Sequence, residues 1–506
     1  MATLTTLPVA RQRTRRSRIT HSPSAFLVLC TCVALLLLGY HPAAEDGGIY
    51  AAAAAFRLQP SLFPAERGFA LAHTTRSLFI PLLDSVVRLL HWRLPVVLLL
   101  LHAISTALTL TALWALSKLF FSLAAHRRSG VLLCAVALGM PVAGTSLYLA
   151  DPYLTARSIS TPLLLFCLLF LIRRQTWAFL ACITVSLALH PMMSGWALVL
   201  FAAFVACRSK KPLRNALLLA AAVLLGMAAV HWLGPIDAAA AREASATRDY
   251  WYPARWAWFE LVGLAAPPIV LLFLLKLKGA EHLSTTARQT ASAAVLAVCI
   301  VGAGALCFIH VSDRSLLLAR MQPLRLLHIV YLLFLLLLGG WMASVPRLRH
   351  LRWAALVVAS FSLLMMQRQL YSHSHHIELP GMPTANGYTQ AFVWARDNTP
   401  VDALFALDAD YTTSPGEDAQ LFRAVALRSS LPDAAKDGGI SSVMPALAED
   451  WARGMQAQAG LAHRSDAERV ARVGPLGATW IVLPATSETH FRCPYRNSAA
   501  QVCKLP

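Results

Sequence analysis

The chain has 506 residues, of which 57% are hydrophobic and only 14% are charged, and its mean hydropathy is +0.57. This composition is too apolar for an ordinary soluble protein and predicts a membrane protein. Apolar runs long enough to cross about 30 Å of hydrocarbon stop after residue 372. The sequence therefore divides into a tail (residues 1–23), a membrane region (residues 24–372) and a C-terminal region (residues 373–506).

Positive charge is concentrated before that division. Residues 1–372 contain 33 Lys and Arg against 11 Asp and Glu, a net charge of +22, whereas residues 373–506 contain 11 against 14, a net charge of −3. The basic residues lie in the tail and in short segments between apolar runs, where such residues set helix orientation and contact anionic lipid head groups. We therefore expect membrane lipids as partners and exclude nucleic acid.

The first apolar run, Ser24–Tyr40, follows the arginine-rich tail. We expect the tail to be cytoplasmic and the run to be a membrane helix that leads outward. A cleaved signal peptide is the alternative, because Pro42-Ala43-Ala44 offers small residues. The arginines of the tail are Arg11, Arg13, Arg15, Arg16 and Arg18.

Ten further apolar runs bring the predicted total to about eleven transmembrane helices in an α-helical polytopic protein. The inner connections are short and rich in Lys and Arg, as is typical of cytoplasmic loops. An odd number of crossings places the C-terminal region on the extracytoplasmic side of a bacterial inner membrane. The runs are 94–124, 130–149, 160–172, 176–190, 191–207, 213–234, 259–277, 290–309, 329–345 and 353–371, and the inner connections are 125–128, 173–175, 208–211, 276–278 and 346–349.

Acidic residues favour the outer connections, which hold or directly border every Asp and Glu of residues 1–372 except Glu281. This bias indicates outward-facing chemistry, although longer loops would also hold more of every polar residue type. The runs 160–172 and 176–190 are short for a full crossing and lie beside His190-Pro191, where proline disfavours helix in the preceding residue. Short helices predict a cavity at this depth.

Two stretches of the first outer connection, up to Leu58 and over Ser77–Leu90, are typical of helices lying along the membrane interface. In the C-terminal region, strand and helix signals alternate, which predicts a small α/β domain. The expected strands lie at 403–407, 425–427 and 480–483, and the expected helices at 387–397 and 444–458.

Eight of the ten cysteines lie in apolar runs, and only Cys493 and Cys503 lie outside them. In an oxidising compartment, this pair is expected to form a disulfide that pins the end of the chain.

The most informative polar motif is Glu45-Asp46, directly after the first helix. Adjacent carboxylates at a membrane boundary are costly unless they are solvated, paired or bound to a metal. One of them could act as a general base that deprotonates an acceptor hydroxyl, and the other could bind a divalent cation or a sugar hydroxyl. The glycines that follow, Gly47 and Gly48, allow close backbone approach. The alternative is a solvated loop.

Other outer connections supply further candidates. Arg157 could bind a phosphate and Asp151 a metal or sugar, or the two could form a local pair that fixes a tight loop. His190 can titrate and bind a metal, but a lone histidine at an interface is more often a structural residue. Arg320 and Arg325 are suited to clamp a lipid-linked phosphate, or else they reach to lipid head groups.

The loop 248–258 is crowded with aromatic side chains. It could stack on sugar rings, and an interfacial aromatic belt is the alternative.

This arrangement resembles the C-type glycosyltransferase superfamily, which consists of multispan enzymes with an acidic motif in the first outer loop and an extracytoplasmic domain at the end of the chain. Glu45-Asp46 matches that motif. The stretches 151–162, 190–192 and 422–428 are also similar to bacterial membrane proteins grouped near the superfamily.

The resemblance implies transfer of a sugar from a polyprenyl-phosphate carrier to a lipid or glycan acceptor, with inversion, at the extracytoplasmic face. It implies that Asp46 is the base, that Glu45 is its partner or a metal ligand, and that Arg320 and Arg325 hold the departing phosphate. A divalent ion, Mg or Mn, would be bound by Glu45, Asp46 and Asp151. Two rival functions are a transporter or flippase of a lipid-linked glycan and a non-catalytic envelope-assembly protein.

Overall fold

The computed structural model describes residues 22–277, 280–345, 347 and 349–506. The arginines of the predicted cytoplasmic tail lie outside the described residues, as do residues 278, 346 and 348 of two predicted inner connections.

The membrane region is built of helices, with one short β-hairpin. In chain order these elements are α1 (Pro23–Leu38), α2 (Glu45–Leu58), α3 (Arg67–Ala72), α4 (Phe79–Leu90), α5 (Leu94–Phe120), α6 (Ala124–Ala137), β1 (Pro141–Val142), β2 (Leu147–Tyr148), α7 (Ala156–Ile172), α8 (Thr176–Leu189), α9 (Pro191–Arg208), α10 (Pro212–Leu233), α11 (Ala239–Ala246), α12 (Trp258–Leu274), α13 (Thr285–Phe308), α14 (Leu317–Arg320), α15 (Leu326–Ser344) and α16 (Arg349–Leu370).

Within the described residues, six helical segments are long and apolar enough to cross a membrane, and four shorter apolar helices accompany them. Their length and composition indicate a multi-pass membrane protein. All the predicted runs except 130–149 coincide closely with a helix. The number of eleven crossings and their orientation stay predictions.

The run 130–149 is not one helix, and that prediction is wrong. Helix α6 begins earlier, includes the predicted connection 125–128, and ends at Ala137. The chain then forms the hairpin β1–β2. Pro141 cannot donate a backbone hydrogen bond, and Gly144 adopts a φ of +51° with the Trp256 ring directly against it. Both features favour a turn over continued helix.

Helices α6 and α15 pack closely because small residues face each other. A Cβ atom added to Gly130 would lie 2.6 Å from the Leu336 carbonyl oxygen, and one added to Gly339 would lie 2.9 Å from the Gly130 Cα atom. Small residues at such crossings let helix backbones approach within a membrane. Helix α15 is accordingly among the most buried helices, whereas α10 and α16 expose most of their apolar surface.

The C-terminal region combines a mixed sheet with short helices. Its elements are α17 (Gly387–Asn398), β3 (Leu404–Ala406), α18 (Phe422–Ala426), β4 (Ser429–Ser430), α19 (Lys436–Val443), α20 (Ala448–Gln458), α21 (Asp466–Val473), β5 (Trp480–Pro484), β6 (Arg492–Arg496) and β7 (Ala500–Lys504). The strand order is β4-β3-β5-β7-β6. Strand β3 is parallel to β4 and β5, while β7 is antiparallel to β5 and β6. Cys493 and Cys503 form a disulfide that joins β6 to β7.

The expected strands at 403–407 and 480–483 are present as β3 and β5, but the expected strand at 425–427 is wrong. Phe422 and Ala426 are four residues apart and both fully buried, which places them on one face of the helical turn α18. Leu427 then takes a φ of +50° and ends the helix. The strand that pairs with β3 follows as β4.

The two regions are joined by backbone hydrogen bonds beside the acidic motif. The Glu45 N–H donates to the Ala419 carbonyl at 2.8 Å, and the Leu421 N–H donates to the Ala43 carbonyl at 2.9 Å. Between these bonds, Ala44 and Gln420 form an antiparallel bridge. The start of α2 is therefore fixed to the C-terminal region by its main chain.

Candidate active site

A cavity of about 600 Å³ lies where the membrane region meets the C-terminal region. The ends of the short helices α7, α8 and α9 contribute to its wall, in agreement with the cavity expected there. Residues from both regions line it, including Glu45, Asp46, Tyr50, His73, Arg76, Tyr148, Tyr153, Arg157, His190, Arg248, Tyr250, Gln322, Arg325, Tyr371, Asp418 and Lys436. Five of the predicted site residues thus come together, namely Glu45, Asp46, Arg157, His190 and Arg325.

The acidic motif forms the first turn of α2 and shares a lysine from the C-terminal region. The Lys436 ammonium makes ion pairs with the carboxylates of Glu45 and Asp46, the latter at 3.0 Å. The side chains of Glu45 and Asp46 remain 40% and 38% exposed, so both carboxylates still face the cavity. The pair is therefore neither a free solvated loop nor a buried structural bridge.

Neighbouring charges keep Asp46 and Lys436 ionised. Burial by itself would raise the pKa of Asp46, but the charges of Lys436, Arg157 and Arg325 outweigh it and hold that pKa below its usual range. Burial would likewise lower the pKa of Lys436, but the two carboxylates raise it above its usual range. At neutral pH the site thus contains the Asp46 carboxylate and the Lys436 ammonium group, both charged.

The two glycines after the motif are required for its position. A Cβ atom added to Gly47 would lie 2.7 Å from the Cβ atom of Tyr153, and one added to Gly48 would lie 2.7 Å from the Cβ atom of Leu421. These contacts place α2 directly between a wall of the cavity and the C-terminal region. The close approach expected from the sequence is present at both glycines.

Asp151 and Arg157 form a local ion pair, which was one of the two alternatives that the sequence left open for them. The Arg157 guanidinium donates from Nε at 3.2 Å and from an Nη atom at 2.6 Å to one Asp151 oxygen. Both side chains are buried. Burial raises the pKa of Asp151, and the charge of Arg157 opposes that effect. Arg157 lines the main cavity, whereas Asp151 faces a smaller neighbouring cavity.

His190 caps a helix and also lines the cavity. It ends α8 and precedes α9, where its Nδ1 atom accepts a hydrogen bond from the Met193 N–H at 3.3 Å. This hydrogen bond gives His190 a structural role, as is common for a lone histidine at an interface. The ring still belongs to the cavity wall.

Arg320 and Arg325 lie in different surroundings. Arg320 makes a 2.7 Å ion pair with Asp237 and donates from Nε to the Ser442 carbonyl, and it does not line the cavity. Arg325 lines the cavity, and its Nε donates to the Gln322 side chain at 2.5 Å. Among the described residues, no carboxylate forms an ion pair with Arg325.

Sequence reasoning missed Lys436, which is 390 residues from Asp46 in the chain. Its one local signal is rarity, since Lys436 and Lys504 are the only lysines after residue 372. Arg248, part of the aromatic loop, also lines the cavity while it donates to the carbonyls of Ala434 and Ala435 at 2.9 and 2.5 Å. Tyr250 of the same loop lies in the wall.

The charges of the lining residues favour an anionic ligand. Five cationic side chains (Arg76, Arg157, Arg248, Arg325 and Lys436) and three carboxylates (Glu45, Asp46 and Asp418) line the cavity, and Asp151, which is paired with Arg157, reduces the excess from two positive charges to one. Asp418 is itself occupied, because it accepts hydrogen bonds from the Ser374 hydroxyl and the His373 N–H.

The residues expected to bind a divalent ion do not present a vacant set of ligands. Lys436 already lies against both Glu45 and Asp46, and Asp151 is bound to Arg157. In the part of the chain that the structure describes, no three His, Cys, Asp or Glu side chains cluster as metal ligands do. A bound Mg or Mn stays a prediction from the sequence.

Two similar solved structures are both of the oligosaccharyltransferase of Archaeoglobus fulgidus. The complex of AglB with an inhibitory peptide and a dolichol-phosphate is 11% identical, with a TM-score of 0.38, and the match covers 93% of this chain and 70% of that chain. The complex with Zn and sulfate is 12% identical, with a TM-score of 0.39, and the match covers 91% of this chain and 68% of that chain. AglB has the C-type glycosyltransferase fold.

No protein-family model matches this chain, and no curated protein matches it.

Proposed function

We propose that the protein is a membrane glycosyltransferase that moves a sugar from a polyprenyl-phosphate donor to a lipid or glycan acceptor at the extracytoplasmic face. The observation that carries this proposal is that one cavity contains both the ionised Asp46 carboxylate, beside Glu45, and more cationic side chains than carboxylates. The carboxylates suit proton transfer from an acceptor hydroxyl, and the arginines suit a phosphate.

In the proposed step, the acceptor hydroxyl oxygen attacks the anomeric carbon of the donor sugar. The bond between that carbon and the phosphate oxygen breaks, and its electron pair leaves with the lipid phosphate. The acceptor proton passes to the Asp46 carboxylate and then to solvent. Attack opposite the leaving group inverts the anomeric centre.

Arg325 and Arg76 both line the cavity without a carboxylate in an ion pair among the described residues, and we assign the departing phosphate to Arg325 because it is the less exposed of the two. Charge-assisted bonds from a guanidinium to a phosphate can be bidentate, which also fixes orientation. Arg320 is engaged by Asp237 away from the cavity, so we assign it no role in phosphate binding.

Lys436 takes the position of the counter-ion to Glu45 and Asp46. It holds the two carboxylates beside each other without requiring a metal ion, so we derive no step through Mg or Mn. A base works best when its pKa lies near the working pH, and Lys436 lowers that of Asp46 in the free site. An anionic donor bound near Lys436 would offset its charge and make Asp46 a stronger base.

The test uses the full chain in proteoliposomes with radiolabelled polyprenyl-phosphate hexoses and an extract of envelope lipids and glycans as acceptor. Asp46→Asn should reduce transfer by about 100-fold or more, the usual contribution of a general base. Asp450→Asn is the matched control, because Asp450 is an exposed acidic residue of α20.

Equal melting temperatures and elution volumes would show that the variants are folded. Normal transfer by Asp46→Asn would refute the assignment of the base. Movement of a labelled glycan across the bilayer without product would instead favour a flippase.

A further inference from the structure

A second cavity, of about 1350 Å³, lies in the C-terminal region. Leu407 and Asp408, which directly follow β3, line it, as do Thr486 and Ser487, which follow β5. Strands β3 and β5 are neighbours and parallel, so these residues stand together at the carboxyl edge of the sheet. We call this cavity the sheet-edge groove.

The chain topology marks this position as a binding site. From β3 the chain moves to β4 on one side, and it later returns to form β5 on the other side of β3. Connections therefore leave the carboxyl ends of β3 and β5 in opposite directions and open a crevice between them. In open α/β sheets, ligands bind at such a switch point.

Two charged side chains of the groove pair with each other, and a third is bound by the backbone. Arg469 makes a 2.7 Å ion pair with Asp466 and donates to the Ala462 and Glu488 carbonyls. The carboxylate of Asp408 accepts a hydrogen bond from the Ala462 N–H at 3.2 Å.

The balance of charge in the groove differs from that in the first cavity. The lining holds three carboxylates (Asp408, Asp466 and Glu488) and two guanidinium groups (Arg464 and Arg469), a deficit of one positive charge. A phosphate or sulfate group would meet net negative charge and engaged arginines here, which disfavours an anionic ligand.

Neutral hydrogen-bonding groups remain available. Within the described residues, the hydroxyls of Thr486 and Ser498 and the imidazole of His463 make no hydrogen bond, and all three side chains are exposed. Hydroxyl and imidazole groups can both donate and accept, which matches the hydroxyls of an uncharged sugar. The volume exceeds that of an ordinary small-molecule pocket and suits several sugar units.

The groove adjoins the first cavity. Ser414 and Gly416 line both, so one loop forms the border between them. His373 lines the groove and pairs with Asp418, which lines the first cavity. A chain that lies in the groove can therefore extend past this loop toward Glu45 and Asp46.

We propose that the sheet-edge groove binds an uncharged, hydroxyl-rich glycan chain, and that this glycan is the acceptor. Only its role as acceptor rests on the proposed transferase function; the binding does not. The groove selects the acceptor by its hydroxyls and excludes anionic chains. The first cavity, with its cationic excess, is left to the lipid-phosphate donor.

The experiment measures binding of fluorescent neutral oligosaccharides (maltoheptaose, mannohexaose and chitohexaose) and of a heparin hexasaccharide to the purified full chain. At least one neutral probe should bind, and the heparin probe should bind more weakly. Ser498→Trp, which fills the groove from an exposed position, should weaken the neutral probe by about tenfold or more, as expected for the loss of one or two hydrogen bonds. Gln456→Trp is the control, because Gln456 is exposed on α20 outside the groove.

Failure of all neutral probes to bind, equal binding by Ser498→Trp, or tighter binding of heparin would overturn the proposal. In the transfer assay, Ser498→Trp should slow transfer to the acceptor while hydrolysis of the donor by water continues. Because Asp46→Asn tests the proposed function in a separate measurement, failure of the groove and failure of the transferase assignment give different results.

Discussion

The two cavities share a loop, but the charges of their lining residues have opposite balances. In the first, Arg325 has no carboxylate in an ion pair among the described residues, and cationic side chains outnumber carboxylates. In the sheet-edge groove, the ion pair of Arg469 and Asp466 is closed on itself, and carboxylates are in excess. The difference teaches that the ligand a cavity selects depends on which charges the protein leaves unsatisfied, and less on how many charged residues line it.

The largest effect expected from this comparison concerns Lys436. Lys436→Met should reduce transfer by about tenfold to 100-fold: the pKa of Asp46 should rise, but the two carboxylates lose the charge-assisted hydrogen bonds that hold them in position, each worth roughly 1.5–3 kcal/mol. Initial rates in proteoliposomes provide the measurement. Binding of a neutral oligosaccharide in the sheet-edge groove should not change.

Two controls sharpen this prediction. Lys436→Arg keeps the charge and should keep a larger share of the activity, and Lys504→Met removes an exposed lysine outside the first cavity. Wild-type rates in Lys436→Met would contradict the role of Lys436 as counter-ion. Strong inhibition of the wild type by EDTA would show that a metal ion is needed beside it.

A smaller effect should distinguish Arg325 from Arg320, two arginines to which the sequence analysis assigned the same role. Arg325→Leu should raise KM for the polyprenyl-phosphate donor by about tenfold, the equivalent of roughly 1.4 kcal/mol, because it removes a cation from the cavity. Arg320→Leu should leave KM nearly unchanged but lower the melting temperature, since it leaves Asp237 buried without its partner. The reverse pattern would place the phosphate at Arg320.

The smallest effect concerns stability and not ligand charge. Burial raises the pKa of Glu66 to about 8, although Arg423 opposes the shift, and an unfolded glutamate titrates near about 4.3. The folded protein therefore holds a proton that the unfolded chain releases between these values. This contribution to stability is complete below about pH 4.3 and is lost as the pH rises through about 8.

The melting temperature should consequently decrease between pH 5 and pH 8, by about 1 °C for each kcal/mol lost in a chain of this length. Glu66→Gln should flatten part of that decrease. Asp433 contributes with the same sign, because burial and Asp437 raise its pKa to about 7. A melting temperature that rises over this interval, or an unchanged slope in Glu66→Gln, would refute the assignment. The preference of the first cavity for an anionic ligand and that of the sheet-edge groove for a neutral one should not follow this dependence of the melting temperature on pH.

The apolar runs were sufficient to predict most of the helices of the membrane region, because a long apolar run with few charges favours a helix of that length. They failed at residues 130–149, where an apolar run that is buried in protein forms a helix end and a hairpin. Periodicity and composition cannot distinguish those two cases. The strand predicted at 425–427 failed for a related reason, since three apolar residues fit one helical turn as well as a short strand.

The candidate site was predictable where its residues are close in the chain. Glu45-Asp46 was recognisable as an adjacent pair, and the Asp151–Arg157 contact spans six residues. The ion pair of Arg320 with Asp237 spans 83 residues and that of Lys436 with Asp46 spans 390. No local pattern encodes such partners, so sequence reasoning could not distinguish Arg320 from Arg325 or find Lys436.

The distance in sequence between Asp46 and Lys436 also has a consequence for biosynthesis. The acidic motif leaves the ribosome 390 residues before the lysine that neutralises it. At about 5–20 residues per second, that interval lasts roughly 20–80 s. Throughout it the nascent chain presents two adjacent carboxylates without their counter-ion, and β3, β4 and β5 cannot yet pair as a sheet. A partly synthesised chain in the membrane therefore lacks the assembled site, which is complete only when the C-terminal region docks.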